Sequence, residues 1–225
     1  MRKIINMNTF INKYSEKPNG KYSHLAPETE LCELFYKYGA DKCPQVSHTY
    51  SKHYFDLLFK NKDKYKNILE IGVGNRELMR QLEDMYQIGA SLKAWQDFFP
   101  NANIFALDIR EDVLFEENRI KCFYGDQSQK DSLIKCVSNI KSYINSNIEF
   151  DMILDDGSHH EEHQILSLDT LFKFVKNGGI YIIEDINNSK INNFINHANN
   201  NNYKILYTHI GDSQGVDSFI AFEKN

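Results

Sequence analysis

The stretch F-D-M-I-L-D-D-G-S-H-H-E-E, residues 150–162, gathers the side chains best suited to chemistry. A short apolar run, Met152-Ile153-Leu154, ends in Asp155 and Asp156, and a glycine, a serine and two histidines follow. A run of that kind bounded by turn residues reads as a buried strand. Ser158, with Glu161 three residues on, reads as a capping box that opens a helix. Glu184-Asp185 ends a second apolar run at 180–183. In an open parallel sheet both acidic pairs would fall on the edge where ligands bind, side by side. Buried like charges at that density repel. A divalent cation relieves the repulsion, and oxygen donors suit magnesium, calcium or manganese. The plainer alternative is that two of the four acids cap helices. His159 is placed on the first turn of its helix, where the positive helix end and a cation would keep it neutral, as a general base requires. His160 and His163 read as surface residues. A zinc pattern His-Glu-x-x-His beginning at His160 fails, because position 164 is Gln164.

A second set lies at other strand ends. Glu70-Ile71-Gly72-Val73-Gly74 forms a strand-to-helix turn whose glycines let backbone approach a ligand closely. The dinucleotide fingerprint wants a third small residue where Glu77 stands, so Gly-x-Gly alone is weak and a plain turn remains open. Glu70 before the glycines says more, since a dinucleotide site needs no carboxylate there. Asp108 ends a strand and could accept from ribose hydroxyls; Asp126, in G-D-Q-S, could accept from an adenine amino group. Either one alone could be a solvated turn residue, but both share an edge with Gly72. His48, Tyr50, His53 and Tyr54 crowd polar aromatics just before the main domain, either as a site or as a helix start with tips in water.

Strands at 67–71, 103–107, 119–124, 151–154 and 180–183 alternate with helices at 92–99, 131–144, 161–176 and 191–199. The alternation predicts right-handed crossovers and an α/β, doubly wound, Rossmann-like, mostly parallel sheet. Strands at 203–209 and 218–222 lack an intervening helix and read as an antiparallel edge pair. Before the sheet, 30–38 and about 50–60 carry helical spacing, and Gly39 closes the first helix. The expected organisation is an N-terminal arm with helices over 1–62 and the main domain over 63–225. The segment 76–88 reads as an inserted amphipathic helix.

Composition narrows the partners. Hydrophobic residues at 41% and aromatics at 13% suffice for a sizeable core, and a net charge of −5 without a basic cluster argues against nucleic acid. Four scattered cysteines form no C-x-x-C pair, which suits reduced thiols in the cytoplasm. No run approaches the roughly 20 apolar residues of a membrane span, and no signal peptide is read.

The segments Y-G-A-D-K, H-T-Y-S-K-H-Y, I-L-E-I-G-V-G, G-A-S-L-K-A-W-Q-D-F-F-P-N-A-N-I-F-A-L-D-I, G-D-Q-S, F-D-M-I-L-D-D-G-S-H-H and I-I-E-D follow in order from about residue 36 to 186. Together they resemble the class I S-adenosylmethionine-dependent methyltransferases, and within them the metal-dependent sugar O-methyltransferases of the mycinamicin and macrocin type. The resemblance implies a seven-stranded sheet with an antiparallel edge strand and Mg-dependent (or Mn-dependent) methyl transfer to a sugar hydroxyl. It assigns the metal to Asp156, Glu184 and Asp185, catalysis to His159 with Asp156, and cofactor contacts to Glu70, Gly72, Asp108 and Asp126; Asp155 and Tyr50 join the expected cofactor contacts. Two departures are expected, an insertion at 76–88 and a lack of the large N-terminal domain of some relatives. The expected acceptor is a nucleotide-activated sugar or a capsular polysaccharide precursor. A macrolide-type glycoside is the alternative, and a nicotinamide oxidoreductase or a silent binding module are the readings from other classes. A homo-oligomer is expected, with the arm available for exchange.

Overall fold

The computed structural model describes residues 26–225 apart from 78, 80–85 and 212–215. The expected arm at 1–25 and most of the expected helix at 76–88 lie outside the described residues. The chain runs through helices α1 (Glu30–Tyr38) and α2 (Tyr50–Leu58) into strand β1 (Asn67–Ile71). Then follow α3 (Ala90–Phe98), β2 (Asn103–Asp108), β3 (Glu116–Glu117) and β4 (Ile120–Tyr124). Next come α4 (Lys130–Ile144), β5 (Phe150–Asp155), α5 (Glu161–Leu171), β6 (Val175–Asn187), α6 (Ile191–Asn201), β7 (Lys204–His209) and β8 (Val216–Glu223).

The strands form one eight-stranded sheet in the order β3-β4-β2-β1-β5-β6-β8-β7. The inner pairs β4·β2, β2·β1, β1·β5 and β5·β6 are parallel. The strand count is one above the expected seven, because Glu116–Glu117 makes a short antiparallel edge against β4. Two charged residues carry no strand pattern, so that edge is silent in sequence. At the far side β7 and β8 form the expected antiparallel edge pair, with β8 inserted between β6 and β7 and antiparallel to both. Its fully buried Phe219–Phe222 run suits this inner place.

Helices cover both faces, which is why the inner strands carry continuous apolar runs such as Met152–Leu154 and Ile180–Ile183. Ile68, Ile104, Met152 and Ile182 pack with Phe35, Tyr54 and Trp95 of α1, α2 and α3. Their neighbours Leu69, Phe105, Ile153 and Ile183 pack with Val137, Leu168 and Phe194 of α4, α5 and α6. The helices before the sheet are therefore part of one of its two cores. All four cysteines are free and buried. No helix among the described residues is long and apolar enough to cross a membrane.

The tip of β1 is laced to those of β5 and β2. Asp156 N–H donates to Ile71 O at 3.0 Å, and Gly72 N–H donates to Leu107 O at 2.8 Å. Gly72 has φ +98°, and a Cβ there would stand 2.1 Å from the Asp156 carbonyl oxygen. Gly178 has φ +75° but nothing near its missing Cβ. Gly178→Ala should therefore cost only the left-handed backbone penalty, about 1–2 kcal/mol. Gly72→Ala should cost that plus about 1–3 kcal/mol for the forced shift of the tip. Urea unfolding of the two variants measures the difference; equal losses would contradict the lacing.

Candidate active site

The C-terminal tips of the parallel strands open onto a cavity of about 680 Å³, within the range of small-molecule sites. Gly72 and Gly74 form its floor turn, and Asp108 and Asp126 line it. Asp108 is fixed by backbone: Oδ2 accepts from Val73 N–H at 2.8 Å and Oδ1 from Arg110 N–H at 2.9 Å. Asp126 Oδ1 accepts from the Ser128 backbone and hydroxyl at 2.9 and 2.7 Å. Both carboxylates keep lone pairs for a ligand.

One wall carries Asp156, His159 and Asp185, whose donor atoms lie within 4.8 Å of one another. His159 Nε2 stands 3.3 Å from Asp156 Oδ1 and 3.4 Å from Asp185 Oδ2. The Tyr50 hydroxyl donates to Asp185 Oδ1 at 2.7 Å. A bulge in β6 builds this wall. The β6·β8 register shifts between Ile183 and Ile186, so Glu184 and Asp185 together oppose one residue of β8, and Asp185 takes φ +53°. A bulge suspends the usual alternation and re-aims side chains. Here both acids face α2. Tyr54, one helical turn after Tyr50, donates to Glu184 Oε1 at 2.6 Å. Glu184 Oε2 meets the ammonium of Lys42 at 2.5 Å. Glu184 is thus not in the group with His159.

Three local expectations need correction. Ser158 does not cap α5: the N-cap is His160, without a side-chain bond, and the Ser158 hydroxyl pairs with His163 Nδ1 at 2.8 Å. His159 precedes the helix in a left-handed conformation, φ +57°, which swings its 40% exposed ring toward the acids. Burial lowers its pKa, but Asp156 and then Asp185 outweigh that and raise it to about 9. His163, expected on the surface, lines the cavity.

Sequence reasoning missed Lys42 and Gln127 as working parts, whereas Tyr54 belongs to the polar aromatic cluster it singled out. Gln127 Nε2 donates to both oxygens of Asp155, at 2.7 and 2.8 Å, while its Oε1 accepts from Ser158 N–H at 2.8 Å. It thereby holds the loop that carries His159. The signal available was its place in G-D-Q-S, where only Asp126 was singled out. For Lys42 the signal was the surplus of carboxylates itself, which any cation could answer.

Comparison with known proteins fits this geometry. The fold is that of the class I S-adenosylmethionine-dependent methyltransferases. It superposes with TM-score 0.66 on the MycE methyltransferase of the mycinamycin biosynthetic pathway, solved with Mg, SAH and mycinamycin VI, at 21% identity over 99% of this chain and 62% of that one. In sequence the chain is 33% identical over 158 residues to mycinamicin VI 2''-O-methyltransferase of Micromonospora griseorubida, covering 70% of this chain and 36% of that protein. It is 32% identical over 161 residues to demethylmacrocin O-methyltransferase of Streptomyces fradiae, again 70% and 36%. The chain is thus a homologue of sugar O-methyltransferases of the mycinamicin and macrocin type, and spans about a third of their length. No protein-family profile matches it.

Three of the expected cofactor residues do not line the cavity. Tyr50 serves Asp185, Asp155 is sealed under Gln127, and Glu70 is fully buried beneath the floor. Glu70 accepts from Ser91 Oγ at 2.6 Å and Trp95 Nε1 at 2.7 Å, which pins α3 under the tip of β1. Burial, partly offset by Lys42, pushes its carboxyl up to about 7. The folded chain therefore holds a proton that an unfolded glutamate has released, so this group's stabilisation is present at low pH and lost as pH rises through about 7. Glutamine can keep both contacts and does not titrate. From about pH 5 to about pH 7 the stability of the wild type should fall relative to Glu70→Gln, by about 1.4 kcal/mol for each unit. Urea unfolding at the two pH values reads this; a constant difference would show that Glu70 does not titrate there.

Proposed function

We propose that the chain transfers a methyl group from S-adenosylmethionine to a sugar hydroxyl with the help of a divalent metal. The observation that carries this reading is Asp156, His159 and Asp185 converging on the wall of a cavity whose floor holds Gly72, Asp108 and Asp126. S-adenosylmethionine suits the floor: the Gly72–Gly74 turn admits close backbone approach, and Asp108 and Asp126 offer acceptors to ribose hydroxyls and an adenine amino group. The donor set of Asp156 and Asp185, with an imidazole beside them, suits Mg2+ or Mn2+. Such an ion would supply Lewis acidity that lowers a hydroxyl pKa, and would offset the carboxylate charge that otherwise protonates His159.

The rest falls to the chain's own residues. His159, loosely held and exposed toward the cavity, takes the proton from the attacking hydroxyl. Gln127 fixes the loop before it, and Tyr50 fixes Asp185, so that acceptor, base and methyl donor meet in line. Glu184, the third metal ligand implied by the family resemblance, faces Lys42 and Tyr54; it joins an ion only if the Lys42 contact yields.

For the acceptor, the relatives favour a sugar already attached to a polyketide-type compound over the nucleotide-activated or capsular sugar expected from sequence. They are named for glycoside natural products and none for a capsule or a nicotinamide reaction. His159→Ala should still bind S-adenosylhomocysteine by calorimetry while losing roughly 10²–10⁴ in kcat. Unchanged turnover would remove His159 from the chemistry. Chelation by EDTA should abolish methylation of a deoxysugar-bearing macrolide and Mg2+ should restore it; full activity without metal, or turnover of nucleotide sugars alone, would overturn the corresponding part of the reading.

A further inference from the structure

Lys42 has no catalytic part in the scheme above, yet three carboxylates stand within 4.0 Å of its ammonium. It lies in the loop between α1 and α2, 1% exposed. Its Nζ stands 2.5 Å from Asp156 Oδ2, 2.5 Å from Glu184 Oε2 and 4.0 Å from Glu70 Oε1. The backbone is built to deliver it. His48 N–H donates to Asp41 O at 2.7 Å and Ser51 N–H to Lys42 O at 2.8 Å, which ties the loop to the start of α2 on both sides of the lysine.

We propose that Lys42 is the resident cation of the acidic site: a positioning residue whose ammonium fixes Asp156 and Glu184, so that the sheet tips fold whether or not a divalent ion is bound. Asp156 is shared between two centres, with Oδ2 turned inward to Lys42 and Oδ1 outward to His159. The ammonium thus divides the acids. Glu70, Glu184 and one edge of Asp156 form an inner half neutralised by the chain itself. The other edge of Asp156 and Asp185 form an outer half left for a ligand. Removing one partner from a buried charge cluster leaves the others uncompensated, which is far costlier than losing an exposed pair. Without Lys42 the inner half would need another cation, and a divalent ion is the natural substitute.

The test compares thermal melting of the full chain in EDTA and in excess Mn2+. For Lys42→Met the melting temperature in EDTA should fall by roughly 6–20 °C, and Mn2+ should return a large share of the loss. Pairing it with Glu184→Gln should also return stability, without any ion. Lys42→Met melting within about 2 °C of the wild type in EDTA, or a double variant no more stable than the single, would overturn the proposal. Should Lys42→Met be insoluble, a soluble double variant supports the proposal and an insoluble one overturns it. The metal part rests on the functional reading above and is read separately, by electron paramagnetic titration of Mn2+ into the wild type. Absence of binding there would sink the metal reading while leaving the EDTA comparison intact.

Discussion

Carboxylates crowd the carboxyl end of this sheet, and their mutual repulsion is the constraint around which the site is arranged. Glu70, Asp155, Asp156, Glu184 and Asp185 stand on the tips of three adjacent strands, and all but Asp156 are buried. Each is given a different answer. Asp155 takes the amide of Gln127 and has its carboxyl pushed up to about 7, mainly by burial. Glu70 takes a hydroxyl and an indole N–H. Glu184 and the inner edge of Asp156 take Lys42. Only the outer edge of Asp156 and Oδ2 of Asp185 are left beside an imidazole on the wall of an open cavity, where a cation and a sugar hydroxyl can reach them.

Backbone irregularities deliver that arrangement. A regular β6 would point Glu184 and Asp185 to opposite sides, and the bulge turns both toward Tyr50 and Tyr54 on α2. Left-handed conformations at Asp185 and His159 aim the remaining groups. Strain of this kind persists only where the surroundings over-determine it. Here Gln127, Gln164 and the lacing through Gly72 do so; Gln164 Nε2 donates to Glu184 O at 2.8 Å, tying α5 to the bulge.

Much of this was legible in sequence, and the boundary is physical. N-I-L-E-I and the Gly39 stop fall where they were read, because local periodicity and φ preference fix them. The adjacency of Asp156 and Asp185 followed from the alternation of strands and helices. The bulge was not legible, since it depends on pairing with β8 some 35 residues further along the chain. Lys42 was quoted within Y-G-A-D-K but given no role: its partners lie 114 and 142 residues away, and no local pattern marks a lysine as buried. His159 was found by type and spacing, but its left-handed conformation ahead of the helix, rather than on its first turn, was not.

The most direct measurement of the central claim is anomalous diffraction from crystals grown with Mn2+ and S-adenosylhomocysteine. A single manganese peak within about 2.5 Å of carboxylate oxygens of both Asp156 and Asp185, with His159 beside it and the ligand across the Gly72–Gly74 turn, is the expected result. A peak elsewhere, or none, with both aspartates still resting on His159, would contradict it.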